Sequence, residues 1–415
     1  MKTFATVAQC SRRFLSTQIP PTSQHINFHR CYSSALRKRD FASFFYHNEL
    51  WNNHSRHAEK QKLRHIAHAM SAQSYREAEV LTPRRLFKLY DQLSKSRLTI
   101  LVVLTAMSGV ALSPLPTTVP ILLSTAVGTA LCSASANTLN QLQEVPYDAQ
   151  MARTRMRPIV RRAITPLHAT GFAVATGIAG PGILWAMVSP VTAAIGALNI
   201  GLYAGVYTWL KRKSIVNTWV GAVVGGLPPL MGWTACGGKL LPSAEYPFQF
   251  FLPSFLSHQP VDLSLIDNPL SPVALFMLLY SWQFPHFMSF SHQVRASYAQ
   301  AGYKMLCVLS PPKNALVALR HSLLLVPICS ILFPLSGLTT WTFALTSLVP
   351  SAMCVRAAWA FWRRGGEKEA KTVWQHSLWY LPVILALTMV HKQGMDWTEW
   401  LWKQEDKASK DEELA

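Results

Sequence analysis

Charged residues are scarce in this chain, and acidic residues are the scarcest of them in its centre. Asp, Glu, Lys and Arg make up 14% of the 415 residues, against roughly 25% in an average soluble domain. Residues 98–362 hold 5 of the 20 acidic and 14 of the 39 basic residues. A centre so poor in charge, with apolar runs separated by Pro and Gly, excludes an ordinary soluble enzyme and predicts a helical membrane protein.

Two further absences, of paired cysteines and of acidic residues near the N-terminus, indicate the compartment of the protein. The 7 cysteines contain no CxxC pair, so a disulfide framework is not indicated and the thiols are expected to act as small buried hydrophobes in a reducing compartment. Residues 1–39 contain seven basic residues and no acidic one. This composition predicts a mitochondrial transit peptide over residues 1–32, with cleavage after Tyr32. A disordered basic tail is the alternative.

The apolar runs predict an all-α fold, a polytopic membrane helical bundle of about nine transmembrane helices. We assign residues 33–92 to a partly disordered matrix-side linker, 93–392 to the membrane domain and 393–415 to an acidic tail. The nine runs lie near residues 98–114, 118–141, 165–188, 191–210, 216–234, 272–291, 314–333, 338–362 and 373–391.

Basic residues are concentrated on one side of this predicted topology. The opposite side is nearly free of them, so the net charge of +19 is interpreted as an orientation signal, and no nucleic-acid partner is expected. By the positive-inside rule we expect a multi-pass protein of the mitochondrial inner membrane whose N-terminus and basic loops face the matrix. These loops are residues 143–163, 211–213, 293–312 and 363–371.

The two acids of the first basic loop stand in helical register. Asn140, Glu144 and Asp148 are spaced by four residues, which keeps them near one face of a helix. Oxygen ligands on adjacent turns can hold one hard cation, and Mg²⁺ is commonly shared between one or two carboxylates and phosphate oxygens. Pro146 is expected to loosen the helix between the acids. The alternative is that both acids only form salt bridges with nearby arginines.

Alternate arginines follow the acids. Arg153, Arg155 and Arg157 offer guanidinium groups that can bind phosphate through two hydrogen bonds. Charge that orients the protein is the other interpretation, and it is the one favoured for Arg161 and Arg162.

Several motifs together resemble the UbiA-type intramembrane prenyltransferases, and in detail the heme farnesyltransferases of that family. The similarity extends over residues 90–390. It rests on Glu-Val-Pro-Tyr-Asp-x-x-Met-x-Arg-Thr from Glu144, on Tyr207 to Gly221 with Pro228 to Trp233, and on Trp-Gln-Phe-Pro-His-Phe from Trp282 with Gly302 to Met305. The segment from Leu93 to Leu98, at the start of the first run, also matches.

The resemblance implies transfer of the farnesyl group of farnesyl diphosphate to a vinyl group of heme b, which gives heme O for cytochrome oxidase. It implies Mg²⁺ as cofactor, the lipid bilayer as surroundings, and hand-off of heme O to a downstream heme-modifying enzyme. The implied metal ligands are Asn140, Glu144 and Asp148, which are also the implied catalytic residues. The implied diphosphate ligands are Arg153, Arg157, Lys211 and Arg212.

Aromatic residues are candidates for a prenyl channel that faces the allylic cation. At each position core packing is the competing interpretation. His286 follows Pro285 and is a candidate heme contact, whereas a hydrogen-bonded core histidine is its alternative. The channel candidates are Tyr203, Tyr207, Trp219, Trp233 and Phe284.

The chain departs from the family pattern after the sixth run. Ser297 stands before Tyr298, where the resemblance leads one to expect an acid, and His292 stands where it implies Trp. Residues 268–366 contain no Asp or Glu. Either one Mg²⁺ suffices, with Arg295, Lys304 and water completing the site, or this copy is catalytically weakened.

Three other functions compete. An aromatic prenyltransferase of quinone synthesis would be expected to show two Asp-rich motifs. A transporter would place charged or broken helices at the membrane midplane. A membrane assembly factor that lost catalysis has Ser297 as its support.

Overall fold

The computed structural model describes residues 82–253, 256 and 267–395. The predicted transit peptide, most of the predicted linker and nearly all of the acidic tail lie outside the described residues. Within them the chain forms helices and no strand. The helices are α1 Pro83–Ser94, α2 Ser96–Leu112, α3 Val119–Asp148, α4 Pro166–Met187, α5 Pro190–Leu210, α6 Asn217–Ala235, α7 Leu270–Gln293, α8 Arg295–Gln300, α9 Leu306–Leu309, α10 Pro311–Leu335, α11 Thr342–Arg364 and α12 Glu367–Val390.

The predicted fold class, an all-α membrane bundle, is confirmed, and each of the nine apolar runs contains a helix. Among the described residues, six helices are long and apolar enough to cross a membrane, and a seventh is obtained if the bent pair α1 and α2 counts as one span. Helices α6 and α7 lie outside that group, since Pro, Gly, Gln and His lower their hydropathy. The count of nine spans therefore stays a prediction.

Several helices begin at a hydroxyl residue followed by proline. The hydroxyls of Thr82, Thr165 and Ser189 accept hydrogen bonds from backbone N–H groups of the first helical turn. Proline in the next position has the helical φ already and has no N–H group to leave unpaired. These pairs fix the starts of α1, α4 and α5.

Small residues let α2 and α6 approach closely. A Cβ atom at Gly109 would lie 2.1 Å from the carbonyl oxygen of Pro229, and one at Gly232 would lie 1.9 Å from that of Ala106. Close contact through small residues is a common way for helices to pack inside a membrane. This contact anchors the N-terminal half of the bundle against α6.

Three of the four predicted basic loops meet at one end of the bundle. The ammonium of Lys211 lies 2.8 Å from the carboxylate of Glu144, and the N–H group of Lys304 donates to the carbonyl of Lys211 over 3.0 Å. Near this end of the bundle, α5 contains a π-helical segment, Gly201–Tyr207, a form often found at functional sites.

Candidate active site

The end of α3 brings three oxygen-bearing side chains into the bundle. Asn140, Glu144 and Asp148 are 1%, 5% and 1% exposed, so the helical register predicted from their spacing is also a buried face. The helix continues through Pro146 to Asp148. The loosening expected at this proline is thus not needed to turn Asp148 inward.

Two cations neutralise the two carboxylates. The ammonium of Lys211 is 2.8 Å from one oxygen of Glu144, and the guanidinium of Arg157 is 3.7 Å from the other. Arg157 also donates to Asp148. Pairing with an arginine, the alternative considered for these acids, is therefore present, but it occurs in a buried cluster and not at an exposed surface. We call these residues, with Asn140, the acidic cluster.

One acceptor in the acidic cluster has no partner. The Oδ1 atom of Asp148 is buried and makes no hydrogen bond, a costly arrangement for a carboxylate. In the described part of the chain no group of three His, Cys, Asp or Glu residues could hold a metal. Two carboxylates and an amide fit Mg²⁺ only where phosphate oxygens and water complete its six ligands. The donors thus suit a metal that is shared with a phosphate ligand.

Lys95 belongs to this site and was not assigned from the sequence. Its ammonium donates to Oδ1 of Asn140 over 2.9 Å, while the amide of Asn140 donates to Thr208 over 3.1 Å. Lys95 adopts a left-handed conformation, φ 49° and ψ 56°, between α1 and α2, which is unusual for a residue other than Gly. The one available signal was its place in the Leu93 to Leu98 segment, which resembles the family.

Burial by itself lowers the pKa of Lys211, but the charge of Glu144 and the hydrogen bond to it outweigh burial and raise the pKa above its ordinary value. Lys211 is therefore a permanent cation at neutral pH. Its ammonium also lies 4.5 Å from the ring centre of Tyr207, a cation–π contact.

The other predicted diphosphate ligands lie at the edge of the acidic cluster. Arg212 donates to the hydroxyl of Tyr147 over 3.3 Å, and Arg153 stands 5.4 Å from the ring centre of Phe290. Arg155 is exposed. Of the three alternate arginines, Arg157 alone is paired with the acids in the described residues.

The aromatic candidates separate into groups. Tyr203 and Tyr207 stack at 5.2 Å beside the acidic cluster. Trp219 and Phe284 are 5.7 Å apart in a second group. Trp233 is 0% exposed within the core, which favours the packing interpretation at that position.

Tyr303 is a second side chain of the site that was not predicted from the sequence. Its ring lies 5.4 Å from that of Tyr147, and its buried hydroxyl has no hydrogen-bond partner. Burial, and next the charges of Glu144 and Asp148, raise the pKa of Tyr303. The hydroxyl is therefore a protonated donor near the acids. Ser297 is half-buried on α8, beside this loop.

His286 makes its contacts elsewhere. Its Nδ1 atom is 2.9 Å from the hydroxyl of Ser377 on α12, and its ring stacks on that of Trp282 at 5.0 Å. No side-chain hydrogen bond or ion pair among the described residues joins it to the acidic cluster. A role in heme contact stays a prediction.

The fold and site define a polytopic helical membrane protein with a buried, metal-compatible cluster of acids and cations at one end of its bundle. Residues 102–381 match the UbiA prenyltransferase family. The chain belongs to that family, as its motifs had indicated.

Named relatives carry the similarity further. The mitochondrial protoheme IX farnesyltransferase of Neurospora crassa is 44% identical over 328 residues, 75% of this chain and 62% of the relative. That of Yarrowia lipolytica is 40% identical over 347 residues, which are 80% of this chain and 67% of the relative. The chain thus spans less than two thirds of the Neurospora relative. A solved digeranylgeranylglyceryl phosphate synthase shares the fold, with a TM-score of 0.55, 15% identity, and coverage of 74% of this chain and 98% of that one.

Proposed function

We propose that the protein transfers the farnesyl group of farnesyl diphosphate to a vinyl group of heme b, which gives heme O and releases diphosphate. The observation that carries this proposal is the buried cluster in which Glu144, Asp148, Arg157 and Lys211 converge. The names of relatives about 40% identical select heme b as the acceptor.

The charge of the site suits a diphosphate. Arg157 and Lys211 balance the two charges of Glu144 and Asp148, so the arginines at the edge of the cluster give the site an excess of positive charge. Fixed cations aimed at a leaving group stabilise the charge that develops there. Arg153 and Arg212, at the edge, are placed to meet the anion as it enters.

Mg²⁺ is the metal that the donors fit, held by Glu144, Asp148 and Asn140. When bound, it would add Lewis-acid stabilisation of the leaving diphosphate. The side chains of the protein supply the other contacts to the diphosphate. Lys211 and Arg157 orient the phosphates, and the unpaired hydroxyl of Tyr303 is a donor for a phosphate oxygen.

Farnesyl transfer needs protection of the allylic carbon from water. As the carbon–oxygen bond breaks, its electron pair leaves with diphosphate, and the vinyl π electrons form the new carbon–carbon bond. Water then adds to the carbocation left on the other vinyl carbon and loses a proton to the released diphosphate, which completes the hydroxyl group of heme O. The stacked rings of Tyr203 and Tyr207 face the charged end of the site, where they can stabilise a carbocation and exclude water before the new bond forms.

The names of the relatives and the apolar helices support a multi-pass mitochondrial membrane protein. We assign it to the inner membrane with its N-terminus and acidic cluster facing the matrix, after removal of residues 1–32. Two further parts of this proposal are the acidic tail, residues 393–415, and the hand-off of heme O to a downstream heme-modifying enzyme.

The proposal is tested with membranes that contain the full chain, supplied with heme b, farnesyl diphosphate and Mg²⁺. Mass spectrometry of extracted heme is expected to show heme O with wild type and with Glu245→Ala, which changes an exposed loop acid. Glu144→Ala is expected to abolish it. Equal heme products from wild type and Glu144→Ala would refute the function. In a parallel assay supplied with an aromatic acid, prenylation of that acid in place of heme b would favour a quinone enzyme.

A further inference from the structure

A cavity of about 270 Å³ lies at the ends of α7 and α11 and the start of α10. It is lined by His292, Pro311, Trp362, Arg363 and Arg364, among others. No side-chain hydrogen bond or ion pair in the described part of the chain joins these residues to the acidic cluster. None of the lining residues belongs to the acidic cluster, so we treat the cavity as a separate site.

His292 is the unusual member of the lining. It is 2% exposed, and its ring lies near the backbone of Gly365, but neither ring nitrogen makes a hydrogen bond of normal length and angle. Its contact with Phe361, at 5.1 Å between ring centres, is edge-on and apolar. An imidazole carries at least one N–H donor, and a buried donor without an acceptor is destabilising. A ligand with acceptor atoms would remove this deficit.

Two arginines stand beside His292. Arg363 has an aromatic neighbour, with its guanidinium 5.9 Å from the ring centre of Trp362, and it forms no ion pair in the described part of the chain. Arg364 is paired weakly, because its Nε atom is 3.5 Å from Glu369 and its side chain is 68% exposed. Both can donate to an anion, and Glu369 is the acid that competes for Arg364.

We propose that this cavity binds a phosphate-bearing anion, either the headgroup of an anionic phospholipid or a free phosphate. Guanidinium groups bind phosphate oxygens through two parallel hydrogen bonds. Basic pockets between helices at a charged membrane surface are typical sites for such headgroups. Trp362 and Pro311 supply an apolar wall for the glycerol part of a lipid, as aromatic residues do at membrane interfaces.

The test uses the purified full chain in a neutral detergent. Its thermal unfolding is followed with increasing phosphatidylglycerol, phosphatidylcholine or inorganic phosphate, and apparent affinities are taken from the shifts. The variants are Arg363→Gln, on an exposed side chain, and His292→Phe, which keeps a ring of similar shape. Lys368→Gln is the matched control, since Lys368 is exposed nearby and does not line the cavity.

We expect phosphatidylglycerol to stabilise wild type and Lys368→Gln alike, with affinity about tenfold or more weaker in Arg363→Gln. Equal stabilisation by inorganic phosphate identifies the free anion as sufficient, and stabilisation by the lipid alone identifies a headgroup site. The proposal is overturned if neither ligand stabilises the protein, or if Arg363→Gln and Lys368→Gln respond equally. If His292→Phe does not fold, the comparison of Arg363→Gln with Lys368→Gln is sufficient to test the proposal.

Discussion

Removal of Arg157 tests whether its pairing holds the acidic cluster together. The substitution Arg157→Met leaves Asp148, which is 1% exposed, without its cation. Breaking a buried ion pair from one side costs about 3–5 kcal/mol. The side chain of Arg157 is 20% exposed, so we expect the lower end, about 3 kcal/mol. At roughly 2–4 °C per kcal/mol, the apparent melting temperature falls by about 6–12 °C.

The same reasoning predicts a rescue. In the double variant Arg157→Met with Asp148→Asn, the stranded charge is gone, and stability is expected to return to within about 1 kcal/mol of Asp148→Asn alone. The measurement is thermal unfolding of the purified protein in detergent at one scan rate, followed by far-ultraviolet circular dichroism. Arg155→Met is the control, since Arg155 is exposed two positions away and its loss is expected to change stability by less than about 0.5 kcal/mol.

Two results would contradict this account of the pair. If Arg157→Met and Arg155→Met have the same melting temperature, the guanidinium of Arg157 does not stabilise the buried carboxylate. If the double variant is as unstable as the sum of the single variants, the two residues act independently, and the cluster is held by packing alone.

Three further predictions concern residues beside the acidic cluster. Lys95→Met is expected to lower kcat/KM for farnesyl transfer about 10- to 150-fold, the loss of one charge-assisted hydrogen bond, while Lys88→Met, at an exposed position, leaves it unchanged. Tyr303→Phe removes an unpaired hydroxyl. Thermal unfolding should show stability kept or raised, while kcat/KM falls about tenfold, and an unchanged kcat/KM would exclude substrate contact. Gly221→Ala places a Cβ atom 2.9 Å from a tyrosine ring and should destabilise by about 1–3 kcal/mol, whereas Gly182→Ala, with open space around it, should not.

Helix positions could be predicted well where a long apolar run is closed by turn residues. The run predicted over residues 165–188 is the helix Pro166–Met187, because its length and its capping Thr165 are both local features. The C-terminal end of helix α3 was harder to predict from the sequence. Its apolar run was placed at residues 118–141, yet the helix extends to Asp148, since the polar last turns are buried and paired by residues distant in sequence.

The helix Pro83–Ser94 shows a different limit of prediction from local sequence patterns. Most of this helix lies within the polar segment 33–92, predicted to be a partly disordered linker, and its buried residues, Leu89 and Leu93, are few. Their spacing of four residues is an amphipathic signal too short to be decisive in twelve residues. What stabilises this helix is contact with α3, where Gln141 donates to the carbonyl groups of Gln92 and Leu93. A contact across 48 residues is not visible in local periodicity.

The same distinction applies to the site. The register of Asn140, Glu144 and Asp148 is local, so spacing predicted it, whereas the donation from Lys95 to Asn140 spans 45 residues and could not be read from spacing. The two interpretations of the acids, salt bridges or ligands, also turn out to be compatible. Carboxylates can be buried in an apolar bundle only when cations neutralise them. Cations in slight excess around them are what a diphosphate requires, so the pairing that stabilises the cluster also prepares it for its proposed substrate.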